Sequence, residues 1–197
     1  MKEIEARGLL CPKPIIMAKY GLEETDKIKI FVNEEAIEDL AKLAKAMGAS
    51  YSETKLAEDE YEAVMEIVDP QANEEFRLAE SNKEQSGVVI FVGNDELGTG
   101  EEELGKKLMQ SMLYTISESK PLPKTMIFYA NGSRLTTEDN PSSEDLKKLA
   151  INGVEILTCG TCLDYHGKRE QLKLGEVANM YQIYELLSTA ENTITFE

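Results

Sequence analysis

"GVVIFVG", residues 87–93, decides the fold of the second half of this chain. Five apolar residues follow one another between two glycines, and no polar position is left to face water. A strand of that kind is covered on both faces, as in buried parallel sheets. Beyond it, helical and extended stretches alternate. "GNDELGTG" reads as a Gly-rich loop, after which Leu104, Leu108, Ser111, Met112 and Thr115 align on one face of an expected helix. "KTMIFYA" (124–130) reads as a strand and "SSEDLKKLAING" as a short helix with a Ser cap and a Gly end. "VEILTCG" is a strand that ends on Cys159, and "YQIYELLSTA" and "TITF" close the chain as helix and strand. The alternation predicts an open, mostly parallel α/β sheet with helices on both faces. Functional residues in such sheets gather beyond the strand C-termini.

The first half has a different pattern. Residues 2–6 alternate polar and apolar, and "KIKIFV" (27–32) is a strand. Between them Ile15, Ala18 and Leu22 keep a helical spacing. Ile37, Leu40, Ala41, Ala44 and Met47 mark a second helix, with Asn33 as its expected cap and Gly48 as its stop. "SYSETKLA" and "EYEAVMEIV" form a hairpin around "EDE". The order β-α-β-α-β-β over residues 1–68 predicts a two-layer sandwich, two helices on one face of a mixed sheet. Residues 69–86 are polar, poor in periodicity and open on Asp-Pro, which predicts a linker, with Phe76 and Leu78 as a short docking segment. The expected domains are therefore 1–68 and 87–197.

The 197 residues are 42% apolar and 29% charged, enough for one or two globular domains. The 21 Lys and Arg stand against 37 Asp and Glu, a net charge of −16. Such a surface repels phosphate, which argues against a nucleic-acid or anionic-membrane partner. No apolar run approaches the roughly 18–20 residues that span a bilayer. "MKEIEARG" also lacks a signal-peptide core, so a cytoplasmic location is expected. Three cysteines without a secretion signal make a disulfide framework improbable. They are fillers, metal ligands or reactive groups.

"GLLCPKPII" (8–16) sets Cys11 before Pro12 and Pro14. Proline suits the first helical turn, where its missing N–H has no partner anyway. Cys11 then falls at the helix cap, where the partial positive charge favours a thiolate. Arg7, Lys13 and Lys19 would add to that. A buried filler cysteine that happens to precede a helix is the plain alternative.

"LTCGTCLDYHG" places Cys159-x-x-Cys162 at a strand end, with His166 four residues on. The spacing permits a tight disulfide, a metal half-site, or a nucleophile with a resolving thiol. The lone histidine, His166, is a proton donor, a ligand or a structural group. Cys159, Cys162 and His166 supply only three zinc ligands and a second Cys pair is missing, so no metal is assigned, and no cofactor is called for. "GEEELGKK" (100–107) imitates a phosphate-binding loop, but Lys107 stands where that loop needs a hydroxyl, and three glutamates occupy the turn.

"EARGLLCPKPIIMAK" resembles the signature of the TusA/SirA-like sulfur-carrier family, an Arg-Gly-x-x-Cys-Pro-x-Pro run opening the first helix. The resemblance implies that Cys11 accepts sulfur as a persulfide from a cysteine desulfurase, or another chalcogen donor, and passes it to a downstream acceptor protein. Pro12 and Pro14 would position the thiol. "VVIFVGNDELGTGEEELGKKLM", "CGTCLDYHG" and "LKLGEVANMYQI" resemble the DsrE-like family of sulfur-relay proteins. By that likeness Cys159 or Cys162 takes up sulfur. Such proteins are often oligomers, which admits transfer between subunits of a homo-oligomer. The pairing of the two families resembles proteins assigned to selenium metabolism. The alternative is a thiol–disulfide redox or sensor module that uses Cys159–Cys162 as its switch, and a plainer one is an interaction protein.

Overall fold

The computed structural model describes residues 1–81 and 86–197, apart from the side chains of 78–81. Two units divide the chain, Met1–Asn82 and Lys83–Glu197. In the first, the order is β1 (Lys2–Glu5), α1 (Lys13–Glu24), β2 (Lys27–Val32), α2 (Ile37–Ala46), β3 (Ala49–Ala57) and β4 (Glu60–Ile67). The sheet runs β1-β2-β4-β3, with β1 parallel to β2 and the other pairs antiparallel. Period-2 patterning explains why helices cover one face only. Strand β2 buries Ile28, Ile30 and Val32, and β4 buries Ala63 and Met65. They pack against Ala18 and Leu22 of α1 and Leu40 and Ala44 of α2. The opposite face carries cross-strand ion pairs, Lys27–Glu66 at 2.7 Å and Lys29–Glu62 at 3.0 Å.

The stretch expected as a linker over 69–86 contains a helix, α3 (Pro70–Ser81). Asp69 caps it, its Oδ1 accepting from the N–H groups of Gln71 and Ala72 at 3.1 and 3.0 Å. Pro70 occupies the first turn, where its ring suits the helix. The helix belongs to the first unit. Phe76 packs on that core, and the buried Asn73 donates its Nδ2 to the Met47 carbonyl at 3.1 Å. Arg77 donates Nη2 to the carbonyls of Leu22 and Glu23 at the end of α1. Gly48 makes the approach possible: its φ is +66°, and a Cβ there would lie 2.7 Å from the Asp69 carbonyl oxygen. The side chain of Leu78, expected to dock beside Phe76, and residues 82–85 of the expected linker lie outside the described residues.

The second unit is β5 (Ser86–Val92), α4 (Glu102–Glu118), β6 (Pro123–Phe128), α5 (Arg134–Thr137), α6 (Ser143–Ile151), β7 (Glu155–Cys159), α7 (Gly160–Tyr165), β8 (Glu176–Ala178), α8 (Met180–Thr189) and β9 (Asn192–Phe196). Its five strands are all parallel, in the order β8-β7-β6-β5-β9. Two separate apolar clusters show that both faces are covered. Ile90, Val92, Met126, Phe128 and Ile156 meet Met109 and Leu113 of α4 and Leu146 and Leu149 of α6. The alternate residues Val89, Ile127, Leu157 and Cys159 meet Ile183 of α8. This is the open α/β sheet that the run at 87–93 predicts.

Helix α4 presents a different face from the one expected. Leu104 and Leu108 are exposed, while Gly105, Met109, Leu113 and Ser117 are buried. The expected row offers three large apolar side chains, Leu104, Leu108 and Met112, and the buried row two, each contributing about 1.5–3 kcal/mol on full burial. Apolarity therefore does not choose the buried row. Gly105 does: Glu96 lies against it, 3.0 Å from where a Cβ would stand, and Leu97 N–H donates to the Gly105 carbonyl. Helices α5 and α7 and the short strand β8 complete the path around β7, where sequence periodicity is too short to register.

Candidate functional site

Cys11 lies in the loop between β1 and α1. The loop leaves the sheet where Ala6 N–H donates to the Phe31 carbonyl at 2.9 Å. Gly8, at φ +74°, donates its N–H to Asn33 Oδ1 at 2.6 Å. Asn33 in turn donates Nδ2 to the carbonyl and carboxylate of Asp59, each at 3.0 Å. Asn33 was expected as a helix cap; its side chain makes no capping bond and pins the cysteine loop to the β3–β4 turn instead. Leu9 tucks onto the core, whereas Leu10, 60% exposed, and Cys11 face outward.

Pro12, not Cys11, is the N-cap of α1, so the thiol sits one residue further out than the sequence suggests. The Pro12 carbonyl accepts from Ile15 and Ile16, and Pro14 is buried in the first turn. The Cys11–Pro12 peptide is cis. The thiol pKa is raised rather than lowered. Partial burial pushes it up, and the carboxylates of Asp39 and Glu35 on the neighbouring turn push the same way. The Arg7 guanidinium is engaged elsewhere. It forks onto Glu5 at 2.6 and 2.8 Å, reaches Glu60 at 2.7 Å, and stacks over Phe31. Lys19 stands 3.9 Å from Glu23.

The second unit gathers its thiols at the C-terminal end of β7. Cys159 is the N-cap of α7 and Cys162 its third residue, the two positions that face each other across a first turn. They are near enough that Cys159 acts on the Cys162 thiol. Cys159 is 1% exposed, inside the apolar cluster, whereas Cys162 is half-buried. The three cysteines form no disulfide. Cys162 Sγ also accepts from the Ala130 N–H at 3.1 Å. Burial raises the Cys162 pKa, the Ala130 N–H opposes it, and the neighbouring Cys159 thiol adds to the rise.

Ala130 is a non-glycine residue with φ +45°, a conformation that costs free energy and tends to persist where it positions something. Ser133 Oγ holds its carbonyl at 2.7 Å, and the next turn is tied to β7 by a buried Thr136–Thr158 hydroxyl pair at 2.9 Å. Tyr129 stacks on Phe91 with 3.9 Å between centroids and donates its hydroxyl to Glu197 at 3.3 Å. Its pKa is raised, first by burial and then by Glu197 and the neighbouring Cys162. Neither residue was anticipated. Their signal is positional: Tyr129 and Ala130 follow the C-terminus of β6, the strand beside β7.

Arg169 clamps α7, its Nε and Nη2 on the Asp164 carboxylate at 2.6 and 2.7 Å and Nη2 on the Gly160 carbonyl at 3.3 Å. His166 ends α7, with its N–H on the Cys162 carbonyl and its ring edge-on to Tyr165. Among the described residues no group of three His, Cys, Asp or Glu side chains is placed to hold a metal ion. Asp95, in the loop after β5, is mostly enclosed, 3.6 Å from Arg134. No described helix is long and apolar enough to cross a membrane.

Residues 2–67 match the family model described as Sulfurtransferase TusA. The first unit is thus a TusA/SirA-like sulfurtransferase domain, and a sulfur-carrier role is what that family supports. Among solved structures, the chain is similar to a SirA-like protein from Desulfitobacterium hafniense, at 26% identity over 35% of this chain and 100% of the other, with a TM-score of 0.33. It is also similar to the ychN protein from E. coli, at 17% identity over 57% of this chain and 99% of the other, with a TM-score of 0.44. A conserved protein of unknown function from Bacteroides thetaiotaomicron shares 13% identity over 59% of this chain and 97% of the other, with a TM-score of 0.42. No curated protein matches.

Proposed function

We propose that this chain is a chalcogen carrier with two thiol stations. Residues 1–68 act as the carrier domain and residues 87–197 as a DsrE-like relay domain. In the first, the Cys11 thiolate attacks the terminal sulfur of a desulfurase persulfide and leaves with it. Such transfer is nucleophilic attack on sulfur, so access and thiolate character set its rate. The observation that carries this reading is Cys11 itself, exposed on a loop pinned by Asn33, within the stretch that matches the sulfurtransferase family. Pro12 and Pro14 fix the turn beside it.

In the second domain Cys162 is the reachable thiol of the pair. The pairing of domains resembles YedF-type proteins of selenium metabolism, which makes selenium the favoured cargo, with sulfur as its chemical stand-in. The donor is a cysteine desulfurase or its selenium counterpart, and the recipient is a further protein. The test is mass spectrometry after incubation with a desulfurase and cysteine. A gain of about 32 Da on Cys11 is expected. Its absence while Cys11 remains open to alkylation sinks the sulfur version. The contact between Cys159 and Cys162 favours a second reading, a thiol–disulfide module. A reversible disulfide with no bound chalcogen would establish it.

A further inference from the structure

The first unit contains one cysteine, whereas the second holds two in contact. A cysteine that stores a persulfide has no use for a thiol at its side, because a neighbouring thiol destroys the persulfide by exchange. Cys159 is enclosed by Val89, Ile127, Leu157, Ala178 and Ile183, so an incoming donor cannot reach its sulfur without opening that cluster. Cys162 is reachable from one side, fixed by the Ala130 N–H at 3.1 Å and backed by Cys159.

We propose that the Cys159–Cys162 pair is a reductive discharge site, in which Cys162 receives the terminal chalcogen and buried Cys159 expels it as hydrosulfide or hydroselenide. The proposal rests on the carrier reading above. The Cys159 sulfur attacks Sγ of the Cys162 persulfide. The bond between the two Sγ atoms forms as the bond from Cys162 Sγ to the terminal atom breaks. The terminal sulfur takes the bonding pair and the proton of Cys159 and departs as HS⁻. The sulfane sulfur gains two electrons, and the two thiols lose them and become a disulfide. An external dithiol reductant restores the pair by ordinary exchange. The facing N-cap and third-residue positions suit the closure, since Cys-x-x-Cys spacing accepts a tight disulfide.

The test uses the intact Cys11→Ser chain, in which only the pair can carry sulfur. It is loaded with inorganic polysulfide, the excess is removed without reductant, and released sulfide and peptide masses are followed. Sulfide and Cys159–Cys162 disulfide should appear in equal amounts. In Cys159→Ala, which leaves an apolar group in an apolar site, a gain of about 32 Da should stay on Cys162 and no sulfide should appear until dithiothreitol is added. Cys159→Ser should behave alike. A persulfide that persists on Cys162 with Cys159 intact overturns the proposal. So does undiminished sulfide release from Cys159→Ala, or a Cys162 that takes up no sulfur in that variant. Loading bypasses the desulfurase and Cys11, so failure of desulfurase transfer and failure of discharge are read separately.

Discussion

Cys11 and Cys162 occupy opposite kinds of surroundings. Cys11 projects from a loop held at its base, beside the exposed Leu10, with carboxylates as its charged neighbours. Cys162 is drawn into the end of a parallel sheet, with a backbone N–H on one side and a second thiol on the other. The difference separates two tasks that a cysteine performs in sulfur chemistry. An outward thiol can meet proteins of many shapes but protects its cargo little. An enclosed pair admits little and can finish a reaction.

The contrast breaks most sharply at Cys11. Cys11→Ser should abolish sulfur uptake from a desulfurase, read as loss of the mass gain, while polysulfide still loads Cys162. Native-state alkylation should come next in size. Cys11 should react at least about a thousandfold faster than Cys159, whose sulfur becomes available only through local opening. Comparable rates would mean that Cys159 is not enclosed. Asn33→Ala removes the acceptor of the Gly8 N–H and both bonds to Asp59. It should lower the stability of the first unit by about 1–3 kcal/mol in denaturant titrations and leave polysulfide loading of Cys162 intact.

Electrostatic effects at the outward site are smaller. The raised Cys11 pKa means that its alkylation rate climbs with pH, to a plateau above that of an ordinary thiol. Replacing Asp39 by Asn and Glu35 by Gln removes two charges that oppose the thiolate. The midpoint should move down, and the rate at neutral pH should rise about two- to fivefold, as surface charges of this exposure allow. The smallest change is at the enclosed site. Ala130→Gly keeps the N–H on Cys162 and relieves a left-handed backbone worth about 1–2 kcal/mol, against about 0.5–1 kcal/mol of added chain entropy. Melting should show a gain of about 0.5 kcal/mol, and a loss would show that Ala130 is packed rather than strained.

Much of the architecture was legible because periodicity is a local signal. The run at 87–93 and the alternation in "KIKIFV" distinguish a sheet covered twice from one covered once. Asp69-Pro70 carried a signal that the linker reading passed over. The pair is a helix cap followed by a first-turn proline, and the polar composition after it hid the meaning. The face of α4 was not legible, since the row with more large apolar residues is not the buried one and a tertiary contact at Gly105 selects its neighbour. Cys11, Cys159 and Cys162 stood out as residue types. The sequence could not order the last two, because burial depends on strands and helices far along the chain. Ala130 and Asn33 act through one backbone N–H and one side-chain amide, and neither leaves a pattern in sequence.

The pin at Asn33 has a consequence for anyone who would borrow the cysteine motif. Gly8, Asn33 and Asp59 come from three distant parts of the chain and meet at one amide. A peptide cut from the first helix and its loop would carry the thiol without its presentation, and a graft onto another scaffold would need all three segments. The Gly8 amide should therefore exchange its hydrogen as slowly as the central strands do, although it lies at the surface. Reactivity at Cys11 is in this sense a property of the completed sheet, acquired only when the last hairpin has closed.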